Sequence, residues 1–280
     1  VLCGGQRPSL RALRHGVAVA EVAASALPGR PSAVWTVRAR HDDPYDKYIV
    51  VSFTNATLVL SIGDTVEEVT DSGLLATAPT LDVALLADNA LLQVHADGIR
   101  HVRADRRIHE WKTPGSGAST SGGTTSSQRS GAKTIEQATA NERQVAVAFS
   151  ASTGEMVYFE LDASGALAEL ATKEIGIEIS ALDVGPVPRG RARAPFLAVG
   201  CYDASLRVLS LDPNELLAQL SVVRLNDRPE SVRSLRAESN DLDDGHASLI
   251  LFAGLANGVL QRVSVDETSG ALSDARSRFL

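Results

Sequence analysis

Short runs rich in Val, Leu, Ile and Tyr recur from one end of the chain to the other, each bounded by Gly, Asp, Asn or Pro. The spacing of an amphipathic helix is hard to find, whereas apolar stretches of strand length with turn residues at their ends are frequent. The pattern predicts an all-β chain. The clearest runs come in pairs: 48–53 with 57–62, 90–95 with 99–103, 144–149 with 155–161, 196–199 with 205–211, and 248–252 with 258–265. Each pair reads as a hairpin. Its turn is carried by Asn55, by Asp97 with Gly98, by Gly154, by Asp203, and by Asn257 with Gly258, residue types that tolerate the positive φ of tight turns.

Another strand is predicted ahead of each hairpin (33–38, 80–86, 134–140, 178–184, 231–237) and a more polar one behind it (65–70, 107–111, 166–172, 216–225, 271–278). The unit is four antiparallel strands, an inner apolar pair giving way to a charged outer edge, repeated roughly every 50 residues. Such a sheet has two faces to cover and cannot cover them alone, so neighbouring sheets must stack. The expected fold is a β-propeller, WD40-like, with four-stranded antiparallel blades. Five blades are visible, and 10–14 with 17–23 supply the last two strands of another, giving an incomplete ring of about five and a half blades out of seven. Residues 1–280 are expected to form one partial propeller domain, and the start at Val1 instead of Met suggests part of a longer chain.

Three stretches interrupt the pattern. The Gly/Ser/Thr tract GSGASTSGGTTSSQRSG (115–131) has almost nothing to bury and is expected to be a flexible loop between the second and third blades. The Pro/Arg-rich 185–195 and the acidic 238–244 are expected to be inter-strand loops.

Composition narrows the picture further. With 44% hydrophobic residues among 280 the chain can bury a sizeable core. No apolar run nears the roughly 20 residues of a membrane span, and residues 1–10 do not read as a signal peptide; a soluble protein without membrane partners is expected. The formal charge of -7 disfavours long-range steering to nucleic acid, so any RNA contact would be local. Cys3 and Cys201 both lie in strand-like apolar contexts, where a free thiol behaves as a small buried hydrophobe in a reducing compartment.

Few residues fall into patterns that carry chemistry. The six histidines (His15, His41, His95, His101, His109, His246) form no HExxH and the cysteines no CxxC, so no metal ligands are expected. The DLDDG at 241–245 would need a bidentate Glu where Phe252 stands, so it reads as a solvated loop. There is no GxSxG elbow, and the Gly-Ser-Gly at 115–117 does not follow a strand. Some propellers gather carboxylates or histidines at the mouth of their channel, but the runs VAVAFS, FLAVG and LILFAG carry neither. No catalytic residue and no cofactor are expected.

The strongest candidate surface is 98–111, GIRHVRADRRIHEW, where Arg100, Arg103, Arg106 and Arg107 gather beside Trp111. It reads either as a blade edge kept from pairing by its charge, or as a partner-binding patch for an acidic protein or an RNA backbone, since Arg and Trp are enriched in interface hot spots.

Longer motifs carry a resemblance. VWTV (34–37), YIVVSFTNATLVLSIGDTVEEVTDSG (48–73), DGIRHVRADRRIHEWKTP (97–114), FLAVG (196–200) and GLANGVLQR (254–262) resemble the splicing factor 3b subunit 3 family, over essentially the whole chain. The resemblance implies a protein of three β-propellers, related to damaged-DNA-binding protein 1 and to the large subunit of the cleavage and polyadenylation specificity factor, of which this chain is most of the middle propeller. It implies a nuclear, non-catalytic scaffold of the U2 small nuclear ribonucleoprotein that supports branch-site recognition in pre-mRNA splicing. Its partners would be the helical-repeat subunit 1 and small subunit 5, held mainly by the outer propellers, and other spliceosomal proteins. A ubiquitin-ligase adaptor resembling damaged-DNA-binding protein 1, whose middle propeller binds a cullin, is the alternative. The 115–131 tract and the DLDDG loop depart from the family's pattern.

Overall fold

Strands form where the apolar runs lie, and all regular structure among the described residues is β. The computed structural model describes residues 2–4, 9–11, 27–63, 65–115, 133–237 and 248–279. It divides into two compact units, Val1–Arg30 and Pro31–Leu280. In the first, β1 (Leu2–Gly4) pairs antiparallel with β2 (Ser9–Arg11), which places Cys3 opposite Leu10. The expected strand at 17–23 lies outside the described residues.

The second unit is five four-stranded antiparallel sheets, each with its strands in chain order. The first sheet comprises β3 (Ala33–Val37), β4 (Tyr48–Ser52), β5 (Thr57–Ile62) and β6 (Val66–Glu68). The second comprises β7 (Thr80–Leu85), β8 (Leu91–His95), β9 (Gly98–Val102) and β10 (Ile108–Lys112). The third holds β11 (Ile135–Ala140), β12 (Gln144–Phe149), β13 (Glu155–Leu161) and β14 (Leu167–Glu174). The fourth holds β15 (Ile179–Asp183), β16 (Phe196–Cys201), β17 (Ser205–Ser210) and β18 (Gln219–Arg224), and the fifth β19 (Pro229–Ala237), β20 (Ser248–Leu255), β21 (Val259–Val265) and β22 (Leu272–Phe279). These are the blades of a β-propeller.

The burial pattern follows from the stacking. Every residue of β12 is buried, because a middle strand is covered on both faces, whereas the outer β14 alternates between partly buried and exposed. Four apolar cores fill the spaces between successive sheets. Val50 and Val83 join the first to the second, Leu92 and Phe159 the second to the third, Tyr158 and Leu197 the third to the fourth, and Leu206 and Leu251 the fourth to the fifth. Phe149 and Phe159 are almost wholly enclosed; burying each contributes about 1.5–3 kcal/mol.

Two turn assignments differ from expectation. Gly98 is not a turn residue: it opens β9 opposite His95, and the turn is Ala96 and Asp97. A glycine is needed there for space, since a Cβ would lie 2.1 Å from the Trp111 carbonyl oxygen on the adjacent strand. In the fourth hairpin the positive φ belongs to Ala204 (61°), while Asp203 contributes its carboxylate, which accepts the Ser205 N–H at 3.1 Å. Gly154 and Gly258 do take positive φ. Residues 185–195 connect β15 to β16 as expected, whereas 238–244 and, apart from Gly115, 115–131 lie outside the described residues.

Successive sheets approach one another along their first strands, β3 to β7 to β11 to β15 to β19, which therefore line the inner edge. The apolar runs VAVAFS, FLAVG and LILFAG therefore lie on middle strands and not, as expected, at the channel, and the inner edge carries Asp82, Asp183 and Arg233. Near the start of β7, β11, β15 and β19 the register slips by one residue against the next strand. Such bulges re-aim the side chains that follow. Beyond them, the Thr139 hydroxyl accepts the Val184 N–H at 3.1 Å, and the Asp183 carboxylate accepts the Ser234 N–H at 2.6 Å. Side chains of one inner strand thus bond the backbone of the next.

Candidate functional site

The Arg/Trp strip is the outer hairpin of the second sheet. β9 and β10 pair so that Arg100 stands opposite Glu110, His101 opposite His109, and Ile99 opposite Trp111. Alternation sends Arg100 and Val102 toward the first sheet, and Ile99, His101 and Trp111 toward the third. The connecting turn is tight: the Arg103 N–H donates to the Arg107 carbonyl at 2.9 Å and the Arg106 N–H to the Arg103 carbonyl at 2.8 Å, with Arg106 at a φ of 66°.

Most of the strip's polar groups are engaged within the protein. Arg100 pairs with Glu110 at 3.1 Å. Arg106 reaches the first sheet's last loop and pairs with Asp71 at 2.9 Å, which holds the Asp71 carboxyl below its ordinary range. Arg107 donates through Nε to Asp105 at 2.7 Å, lowering that carboxyl likewise. Trp111 packs edge to face on Phe159 with ring centres 5.0 Å apart, and its indole N–H donates to Glu169 at 3.0 Å, so the ring is wedged between the second and third sheets. Arg103 alone of the four arginines has no carboxylate within 4.0 Å among the described residues; it donates to the Ser164 carbonyl at 3.3 Å.

Two clefts flank the hairpin, and Arg103 borders both. One, of about 490 Å³ between the first and second sheets, is lined by Tyr48, Asp71, Leu74, Arg100 and Arg106. The other, of about 240 Å³ between the second and third, is lined by His101, His109, Trp111 and the 165–167 backbone turn. His101 is buried with its Nε2 unbonded and 4.0 Å from Asp88; burial pushes its pKa below the usual histidine value.

Sequence reasoning missed the partners of these side chains. Glu110 could be found by counting the hairpin register from Gly98, but Asp71 and Glu169 belong to neighbouring sheets. It also missed Asp82 on β7, whose carboxyl accepts the Val83 N–H at 2.9 Å and is pushed up to about 7, mainly by burial. Among the described residues no three His, Cys, Asp or Glu side chains are grouped to hold a metal ion, and Cys201 is a buried free thiol. The hairpin's charged groups are instead paired with one another or with the neighbouring sheets.

Residues 19–280 match the family described as the RSE1/DDB1/CPSF1 second beta-propeller. The chain is 50% identical to spliceosome-associated protein 130 A of Arabidopsis thaliana, over 100% of its own length and 22% of that protein. It is 48% identical to splicing factor 3B subunit 3 of Danio rerio, again over 100% of the chain and 22% of the relative. With pre-mRNA-splicing factor rse1 of Emericella nidulans it shares 47% identity, over 99% of the chain and 21% of the relative. The chain thus spans about a fifth of the length of these curated relatives. Among solved structures, Sqt1 from Chaetomium thermophilum bound to the N-terminus of ribosomal protein L10 superposes with a TM-score of 0.55 at 18% identity, covering 85% of this chain and 59% of Sqt1. That likeness concerns the fold alone.

Proposed function

The chain belongs to the RSE1/DDB1/CPSF1 second beta-propeller family, and from that membership we propose that it is a non-catalytic scaffold propeller of the splicing factor 3b complex, acting in the nucleus in pre-mRNA splicing. The observation that carries this reading is near-half identity over the whole chain to proteins named as splicing factors in plants, animals and fungi. The matched region takes in all five sheets. Partners are then the helical-repeat subunit 1 and small subunit 5, together with other spliceosomal proteins.

The architecture supports a scaffold. Apolar area is consumed between sheets and inner-edge polar groups are consumed in linking them, which leaves rims and loops for recognition. Affinity purification of the intact protein from nuclear extract tests the proposal. Recovery of splicing factor 3b subunits is the expected result; recovery of a cullin in their place would overturn it in favour of the ubiquitin-ligase adaptor.

A further inference from the structure

We infer that the tip of the loop between β15 and β16 is a site of arginine methylation, with Arg191 as the acceptor and a sulfonium methyl donor, S-adenosylmethionine, as co-substrate. This goes beyond the scaffold reading and does not depend on it.

The local sequence supplies the first observation. Arg189, Gly190 and Arg191 are the only Arg-Gly-Arg run in the chain. A methyltransferase must draw a guanidinium down a narrow channel to the sulfonium, and a glycine beside the arginine leaves the mouth of that channel unobstructed. The backbone presents the run as a turn. The Arg191 N–H donates to the Pro188 carbonyl at 3.0 Å, and Gly190, third of the four turn residues, has the positive φ (76°) that a type II turn requires there. A Cβ at Gly190 would meet no atom within 4 Å, and residues 189–192 are all exposed.

The base of the loop, by contrast, is fixed to the third sheet at both roots. Asn141 Nδ2 donates to the Gly185 carbonyl at 2.9 Å. Gln144 accepts the Ala194 N–H at 2.6 Å and donates to the Ala194 carbonyl at 3.0 Å, while Arg193 pairs with the buried Glu160 at 3.3 Å. The tip therefore projects from a clamped frame.

Charge pairing singles out Arg191. Arg100, Arg106, Arg193, Arg207, Arg233 and Arg236 are each held by a carboxylate, and drawing out such a guanidinium would break charge-assisted bonds. Arg191 borders a cleft of about 610 Å³ that Asp212 and Glu215 also line, yet among the described residues no carboxylate lies within 4.0 Å of its guanidinium. In the transfer, an Nη of Arg191 attacks the methyl carbon. The N–C bond forms as the C–S bond breaks, the electron pair leaves on sulfur as the thioether S-adenosylhomocysteine, and the displaced guanidinium proton passes to a base of the methyltransferase. The product keeps its positive charge and loses a hydrogen-bond donor, which changes what this rim can bind and leaves the clamped base untouched.

Incubation of the intact protein with nuclear extract and S-adenosylmethionine carrying a deuterated methyl group, followed by peptide mass spectrometry, tests this. An Arg-Gly-rich peptide labelled in the same extract shows that the enzyme is active. The expected result is a deuterated methyl on Arg191 that is lost in Arg191→Lys, falls several-fold in Gly190→Ala, and is unchanged in Arg107→Lys, which alters an exposed arginine already paired with Asp105. Thermal melts verify that each variant is folded. An unlabelled Arg191 in the parent, or label confined to other arginines, would overturn the proposal.

Discussion

Asp183 on the fourth sheet is gripped by the fifth: its Oδ1 meets Arg233 Nη1 at 2.9 Å while its Oδ2 accepts the Ser234 N–H at 2.6 Å. The carboxylate is nearly enclosed, with 10% of its side chain exposed, whereas Arg233 is 72% exposed. The two partners of the pair are therefore not equivalent. Losing Asp183 strands a backbone donor at the inner edge, but losing Arg233 leaves a carboxylate that still holds the Ser234 amide.

Asp183→Ala is accordingly expected to destabilise the protein by about 1 kcal/mol, the lower end of the cost of an unsatisfied donor, because the Ser234 amide that loses its acceptor is only partly buried. Arg233→Ala should cost clearly less. Urea unfolding of both variants measures the difference, and equal losses would mean that the ion pair, and not the backbone bond, joins the two sheets.

Asp82 gives the inner edge a pH dependence. Burial raises its carboxyl from 3.8 to about 7, against the opposing pull of the Val83 amide and Arg233. The folded protein thus holds this proton more tightly than the unfolded chain. Its stability contribution is complete below about pH 4 and is lost as pH rises through about 7. The Asp82→Asn variant should lose this component, so the stability difference between parent and variant should change across pH 4–8. Parallel stability curves over that range would rule the effect out.

Gly98→Ala should be among the costlier glycine changes in the chain. The added methyl meets the Trp111 carbonyl oxygen at 2.1 Å, a backbone atom that moves only if β9 and β10 separate, and overpacking of this kind costs about 1–3 kcal/mol. Gly258→Ala meets no atom within 4 Å and carries only the strain of a φ of 80°, about 1 kcal/mol. Thermal melting of the two variants should rank them in that order.

Trp111→Ala should act on stability. The ring is partly buried against Phe159 and bonded to Glu169, so its loss should cost about 2–3 kcal/mol, somewhat under the range for wholly buried aromatics. Trp111→Phe should restore much of this, as it keeps an aromatic edge against Phe159. A Trp111→Ala protein with the parent's melting temperature would show that the indole contributes nothing between the sheets.

The hairpins were legible because a strand's alternation and its turn chemistry are written in consecutive residues. β12 and β13 begin and end where the apolar runs 144–149 and 155–161 do. The roles of individual polar side chains were not legible. Arg103, Arg106 and Trp111 stand within nine positions of one another and read as one patch, yet each reaches a different element: Ser164, Asp71 and Glu169 lie 61, 35 and 58 residues away. The inner-edge bonds from Thr139 to Val184 and from Asp183 to Ser234 span 45 and 51 residues, close to one repeat.

By itself, then, the sequence determined the repeating four-stranded unit, since short-range periodicity dictates which faces must be covered, and its longer motifs indicated the family. Tertiary structure decided which charges neutralise one another and which strands face inward. Those outcomes depend on how one sheet is rotated against the next, and no residue encodes that rotation alone. It emerges when the apolar faces of two neighbouring sheets close together, and only then does Arg106 find Asp71 and Trp111 find Glu169.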